Sequence, residues 1–309
     1  MRAIAEAPSK AILTGEHFVV HGAWALACAL PRKVRVEVED SPRLRVASDR
    51  FRGESAPGLA PVAGVVRAMA REFSFRPNLR VDISSEVPDG AGLGSSASTM
   101  VAIVSALSRL KSLGLGRREV IDFAMVGERE IHGNPSGIDA TVCALGGAML
   151  FRPGSPPRNL GLGGRRSLIV AFSGKRRSTR RQIRRVAGVK ETFPSLFGAL
   201  TEGASEVSLM AAERLSRGDM KGLGRLLSFN HAVLSRIGVS NRRLDALVDA
   251  AVSLGAYGAK LTGGGGGGSV VAVAPAGKEK SIISGLAGRG FETFRAEIPV
   301  DGVRSWQES

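Results

Sequence analysis

Between a half-buried strand and a helix, residues 88 to 98 read PDGAGLGSSAS. Leu79, Val81 and Ile83 alternate with Arg80, Asp82 and Ser84 before it, which is the period of a strand with one wet face. After it, Met100, Ile103, Val104 and Leu107 recur at the spacing of one helix face. A strand that turns through three glycines into a helix leaves few options for the local backbone. The glycines remove side chains where a ligand could approach, and Ser95 and Ser96 stand where free N–H groups and the helix dipole favour an anion. The stretch therefore reads as a phosphate cradle. The same two serines would also serve as plain helix caps behind a tight turn.

Of two other nucleotide motifs, one is disfavoured by its context and the other is absent. Gly92, Gly94 and Ala97 satisfy G-x-G-x-x-A, but that fingerprint needs a second strand with an acidic residue about twenty positions on. KSLGLGRREVIDFAMVGE follows instead, a loop and a helix. No G-x-x-x-x-G-K-[ST] occurs anywhere in the chain.

Three further stretches carry chemistry. In GEREIHGNPSGIDATV, Glu128 lies late in an amphipathic helix and Asp139 follows the turn-forming GNPSG. A carboxylate held after such a turn can face a cleft and accept a proton or ligate a metal. In APSKAILTGEHFVVHGAWALA, Lys10 opens a short apolar strand, and Glu16 and His17 cluster in the turn after it. In KLTGGGGGGSVVAVA, six consecutive glycines run straight into an apolar strand. So much backbone freedom is costly, and a linker would not lead directly into a buried strand. His21 and His231 read as ordinary structural histidines.

With 309 residues, the chain exceeds what one core usually fills, and two domains are expected. The Pro- and Gly-rich RPGSPPRNLGLGG (152–164) divides it into 1–163 and 164–309. In the first part, Val34, Val36 and Val38 alternate with charged residues, and the turn-like DSPR leads on to LRVAS, a hairpin pattern. EVIDFAMVGEREIH reads as a helix and GGAMLF as a strand. The second part holds the strand SLIVAF, helices up to about Ser253, the strand after the glycine run, and a final strand near FETFRAEI. Ser240 or Asn241 can cap a helix with an apolar face of Leu244, Leu247, Val248 and Ala251. Hairpins and helices mix without regular βαβ alternation, so the fold class is α+β.

Cys28 and Cys143 have no ligand spacing and read as reduced, half-buried packing residues, which points to the cytosol. No apolar run is long enough to span a bilayer, and no membrane partner or signal peptide is expected. The net charge is +15, and ten Lys or Arg lie between Arg165 and Lys190 with no acid among them. Such a run attracts polyanions, including phosphorylated small molecules, or it is a solvated face. Only 5% of residues are aromatic, which disfavours a nucleic-acid partner because base stacking uses aromatic side chains.

PSKAILTGEHFVVHG, PDGAGLGSSAS, HGNPSGID and KLTGGGGGG occur in the order and spacing of the GHMP kinase superfamily. Across nearly its whole length the chain resembles that family, and within it the mevalonate kinases, to which the first and third segments are narrower. The resemblance implies an N-terminal domain like the second domain of ribosomal protein S5 and a ferredoxin-like C-terminal domain, with ATP between them. It implies transfer of the ATP γ-phosphoryl group to the primary hydroxyl of mevalonate, with another GHMP kinase acting on phosphomevalonate or a sugar as the alternative. It assigns Gly90, Ala91, Gly92, Leu93, Gly94, Ser95, Ser96 and Ala97 to the phosphates, and Ser96 and Glu128 to Mg²⁺. Asp139 becomes the base or electrostatic guide for the attacking hydroxyl, with Lys10 paired to it. Glu16, His17, Thr179, Gly263 and Gly264 fall to the substrate. A homodimer is left open. Gly264 stands where relatives commonly have alanine, Ser269 where they have cysteine, and Ala140 also differs from some relatives.

Overall fold

The computed structural model describes residues 1–49, 59–175 and 179–308. Two long antiparallel strands, β1 (Arg2–Thr14) and β2 (Ala25–Asp40), form the spine of the first sheet. β3 (Arg45–Ser48), α1 (Ala60–Glu72), β4 (Leu79–Ser85), α2 (Ser95–Leu110), α3 (Arg117–His132), α4 (Ile138–Leu145), β5 (Ala148–Phe151) and β6 (Arg158–Asn159) complete the first half. Met100, Ile103, Val104 and Leu107 of α2 are all buried, and the helix packs on both β1 and β2.

The second half contains β7 (Arg166–Phe172), α5 (Thr179–Thr192), α6 (Pro194–Arg217), α7 (Met220–Arg236) and α8 (Arg242–Ser253). It continues with β8 (Gly258–Thr262), β9 (Ser269–Val273), α9 (Glu279–Ala287), β10 (Glu292–Ile298) and β11 (Arg304–Glu308). Strands β10, β7, β9 and β8 form, in that order, a four-stranded antiparallel sheet. Ile169, Ala171, Val270 and Ala272 on one face pack with Leu244, Leu247, Val248 and Ile282 of α8 and α9. Leu168, Val170, Val271 and Val273 on the other face join the core shared with the first sheet. Burial on both faces is why SLIVAF and SVVAV are unbroken apolar runs. The fold is α+β, as expected, with Asn241 capping α8 by accepting from the N–H groups of Arg243 and Leu244.

Four expectations need correction. First, β2 and β3 do not form a hairpin: β4 lies between them, antiparallel to β2 and parallel to β3. Alternation marks which face is buried and is silent about which strand lies alongside. Second, Lys10 does not open its strand, because β1 starts at Arg2 and admits Pro8 at a register shift. Third, the strand over FETFRAEI is not the last. β11 returns across the 163/164 division and pairs with β1, Ile4 opposite Trp306. Fourth, Cys28 and Cys143 are fully buried, and burial pushes both thiols up to about 12. No helix among the described residues is long and apolar enough to cross a membrane.

Candidate active site

The loop between β4 and α2 has the backbone its glycines predict. Gly90, Gly92 and Gly94 all take positive φ (68°, 77° and 79°), a region that L side chains rarely occupy. Gly94 is the N-cap of α2 and no side chain caps the helix, so Ser95 and Ser96 occupy its first turn rather than the cap. The first N–H groups of an α-helix lack intrahelical partners. The mouth of α2 is therefore a ring of small residues around backbone donors at the positive end of the helix dipole.

Lys10 comes up beneath this loop. Its backbone N–H donates to Leu93 O at 2.9 Å, and its Nζ donates to Gly92 O at 3.4 Å. The same Nζ lies 3.0 Å from Asp139 Oδ1, although Oδ1 makes no well-aligned hydrogen bond. Lys10 has no solvent exposure, whereas the Asp139 side chain is 22% exposed and looks into a cavity. Asp139 sits in the first turn of α4, reached through Gly137 at φ 87°. The close approach of Gly94 is required by Lys10: a Cβ there would come within 2.7 Å of Lys10 Cγ.

The glycine run is a wall and a joint. Gly268 donates its N–H to Lys175 O and accepts at its own carbonyl from the Ser173 N–H. A Cβ on it would meet Ala91 O of the glycine loop between β4 and α2 at 2.9 Å. Ser269 Oγ donates to the same Ala91 O at 2.9 Å, so this hydroxyl ties the two halves together. Gly263 and Gly264 line a cavity of about 780 Å³ with Lys10, Asp139, Glu16 and His17. His17 takes φ 65°, and its Nε2 lies 3.1 Å from Gly264 O. Thr179 opens α5, but its side chain lies outside the described residues. Farther along that helix, Ile183, Val186 and Lys190 also line the cavity.

Glu128, on α3, is 3% exposed. His132 stands between it and the serine, its Nε2 3.4 Å from Ser96 Oγ and 3.8 Å from Glu128 Oε2. A hard divalent cation that also holds phosphates needs only one or two protein oxygens. Ser96 and Glu128 fit that requirement. No group of three His, Cys, Asp or Glu suited to a metal occurs among the described residues.

Three residues at the site are absent from the sequence expectations. His132 joins the serine and the glutamate. Lys260 is completely buried and paired with Glu16, and Asn230 Nδ2 donates to the other oxygen of that carboxylate at 3.1 Å. The only sequence signal for Lys260 is a lysine inside an otherwise apolar strand. His231 is buried too, and burial lowers its pKa while Nδ1 accepts from the Leu261 N–H at 3.4 Å. This agrees with a structural histidine.

Known proteins resemble this chain throughout. The GHMP kinases N terminal domain family matches residues 60–147, and the GHMP kinases C terminal family matches residues 211–291. A mevalonate kinase of Aeropyrum pernix is 33% identical, with 97% of each chain covered. One from Thermococcus sibiricus is 34% identical, with 98% of each covered. Among solved structures, L. major mevalonate kinase in complex with R-mevalonate superposes with a TM-score of 0.84 at 30% identity, covering 96% of both chains. A Streptococcus pneumoniae phosphomevalonate kinase at 17% identity has a TM-score of 0.83, so the fold extends well beyond one acceptor.

Proposed function

The chain belongs to the GHMP kinase family, and we propose that it is a mevalonate kinase, transferring the γ-phosphoryl group of ATP to the primary hydroxyl of mevalonate. Near-full-length identity to mevalonate kinases supports the acceptor. The observation that carries the chemistry is the ion pair of Lys10 and Asp139, set where the glycine loop meets the cavity.

Phosphoryl transfer asks a protein mainly to position its reactants and to offset negative charge. The residues Gly90 to Ala97 hold the triphosphate with backbone N–H groups. The acceptor lies in the cavity against His17, Gly263 and Gly264, with Thr179 near the transferred group. As the acceptor oxygen bonds to the γ-phosphorus, the bond to the bridging oxygen of ADP breaks, and the hydroxyl proton passes towards Asp139. Lys10 keeps Asp139 in place and offsets negative charge at the reacting oxygen. Mg²⁺ would be held by Ser96 and Glu128, where it would neutralise phosphate charge. We place the enzyme in the cytosol with its soluble substrates.

The test is purified protein with Mg·ATP and a panel of mevalonate, phosphomevalonate, homoserine and galactose, followed by ADP release. Mevalonate should be the preferred acceptor by kcat/KM. Preference for another member of the panel would overturn the reading.

A further inference from the structure

Lys260 has no solvent exposure and no place in the chemistry just described. Its Nζ donates to the Glu16 carboxylate, to Leu261 O, and to Ile12 O at 3.4 Å. Asn230 takes the second carboxylate oxygen. Both oxygens of Glu16 are therefore engaged by protein groups, and the side chain is 1% exposed. Although Glu16 borders the cavity, its charge is directed away from an acceptor.

The same joint includes Thr262. Its hydroxyl accepts from the Ile12 N–H and donates to Ile12 O, both at 2.9 Å. Strand β8 of the second sheet thus grips β1 of the first at a point two residues beyond Lys10. The grip continues through Glu16 to His17, whose left-handed backbone conformation has to be imposed by its surroundings. An ion pair suits this task because it demands one geometry. Breaking a buried pair from one side strands a charge, whereas an apolar substitute costs little stability.

We propose that Lys260 is a positioning residue: held by Glu16 and Asn230, it docks β8 onto β1 and sets His17 against Gly264, so that acceptor affinity depends on a side chain that touches no acceptor. The inference rests on the kinase reading above for the identity of the acceptor.

The experiment compares wild type with Lys260→Met, Glu16→Gln and the double variant. It measures Tm, the KM for mevalonate and for ATP separately, and the ring resonances of the four histidines in ¹⁵N-labelled protein. Each single variant should lose about ten degrees of Tm, and the double variant should recover most of that loss. In the double variant the KM for mevalonate should rise about tenfold or more, since small misplacements at a binding site have large effects. The KM for ATP should change less than about twofold, and the His17 ring resonance should move. A double variant with recovered Tm, unchanged acceptor KM and unmoved His17 resonance would overturn the proposal. So would a raised acceptor KM in Glu16→Gln beside an unchanged one in folded Lys260→Met, because Glu16 would then contact the acceptor itself. If wild type preferred another acceptor, the kinase reading would need revision, while the same variants and the His17 resonance would still decide the role of Lys260.

Discussion

Asp139 and Lys10 divide one task between an accessible and an inaccessible residue. The lysine is sealed beneath the glycine loop where it borders the cavity, and the aspartate is the more exposed of the two. Asp139→Asn keeps the size of the side chain but cannot accept the hydroxyl proton in the same way. The expected outcome is a kcat lowered by about 10²- to 10⁴-fold. Binding of Mg·ATP, read by titration, should stay close to wild type. Near-normal turnover would remove Asp139 from its assigned role. At this scale, the candidate site was legible where a residue type was unusual for its setting: an aspartate after GNPSG, or serines behind glycines. Lys260 was not legible, because its meaning comes from a glutamate 244 positions away.

At the scale of elements, the unit formed by β4, the glycine loop and α2 makes its own prediction. Gly94→Ala faces two penalties, a positive φ and a clash with the Lys10 side chain at 2.7–2.8 Å. Backbone strain of this kind costs about 1–3 kcal/mol. Gly277→Ala supplies the control, since Gly277 also has a positive φ (80°) but nothing lies within 4 Å of its Cβ position. Both variants should lose stability in a denaturant titration, but only Gly94→Ala should lose kcat in the folded fraction, through displacement of Lys10. Equal kcat in the two would detach the loop from the lysine. The helix faces of α2 and α8 were readable because their 3.6-residue period reports one buried side. The strand pairing was not, as β3 shows: its alternation is sound, yet its partner is β4 and not the neighbouring β2.

The whole molecule carries a net charge of +15, and both proposed substrates are anions. The basic segment runs along β7 and α5, and α5 reaches the cavity wall with Lys190. Arg181 and Arg184 on the same helix are exposed. A positive field at a cavity mouth raises the encounter rate of anions and is screened by salt. Accordingly, kcat/KM should fall severalfold between about 50 and 300 mM salt, where the Debye length shortens substantially. R181Q/R184Q should show a lower value at low salt and a flatter dependence. Identical salt profiles for the variant and wild type would leave this helix a solvated face only.

From its order of residues alone the protein has its backbone punctuation: positive-φ glycines before α2, the six-glycine run before β9, and the apolar faces of its helices. These are short-range properties, decided by sterics and period within a few residues. Tertiary structure decided the rest: β4 between β2 and β3, β11 returned to β1, Lys10 brought against Asp139, and Lys260 against Glu16. Each of those contacts depends on burial and on hydrogen bonds that exist only once distant segments are packed together.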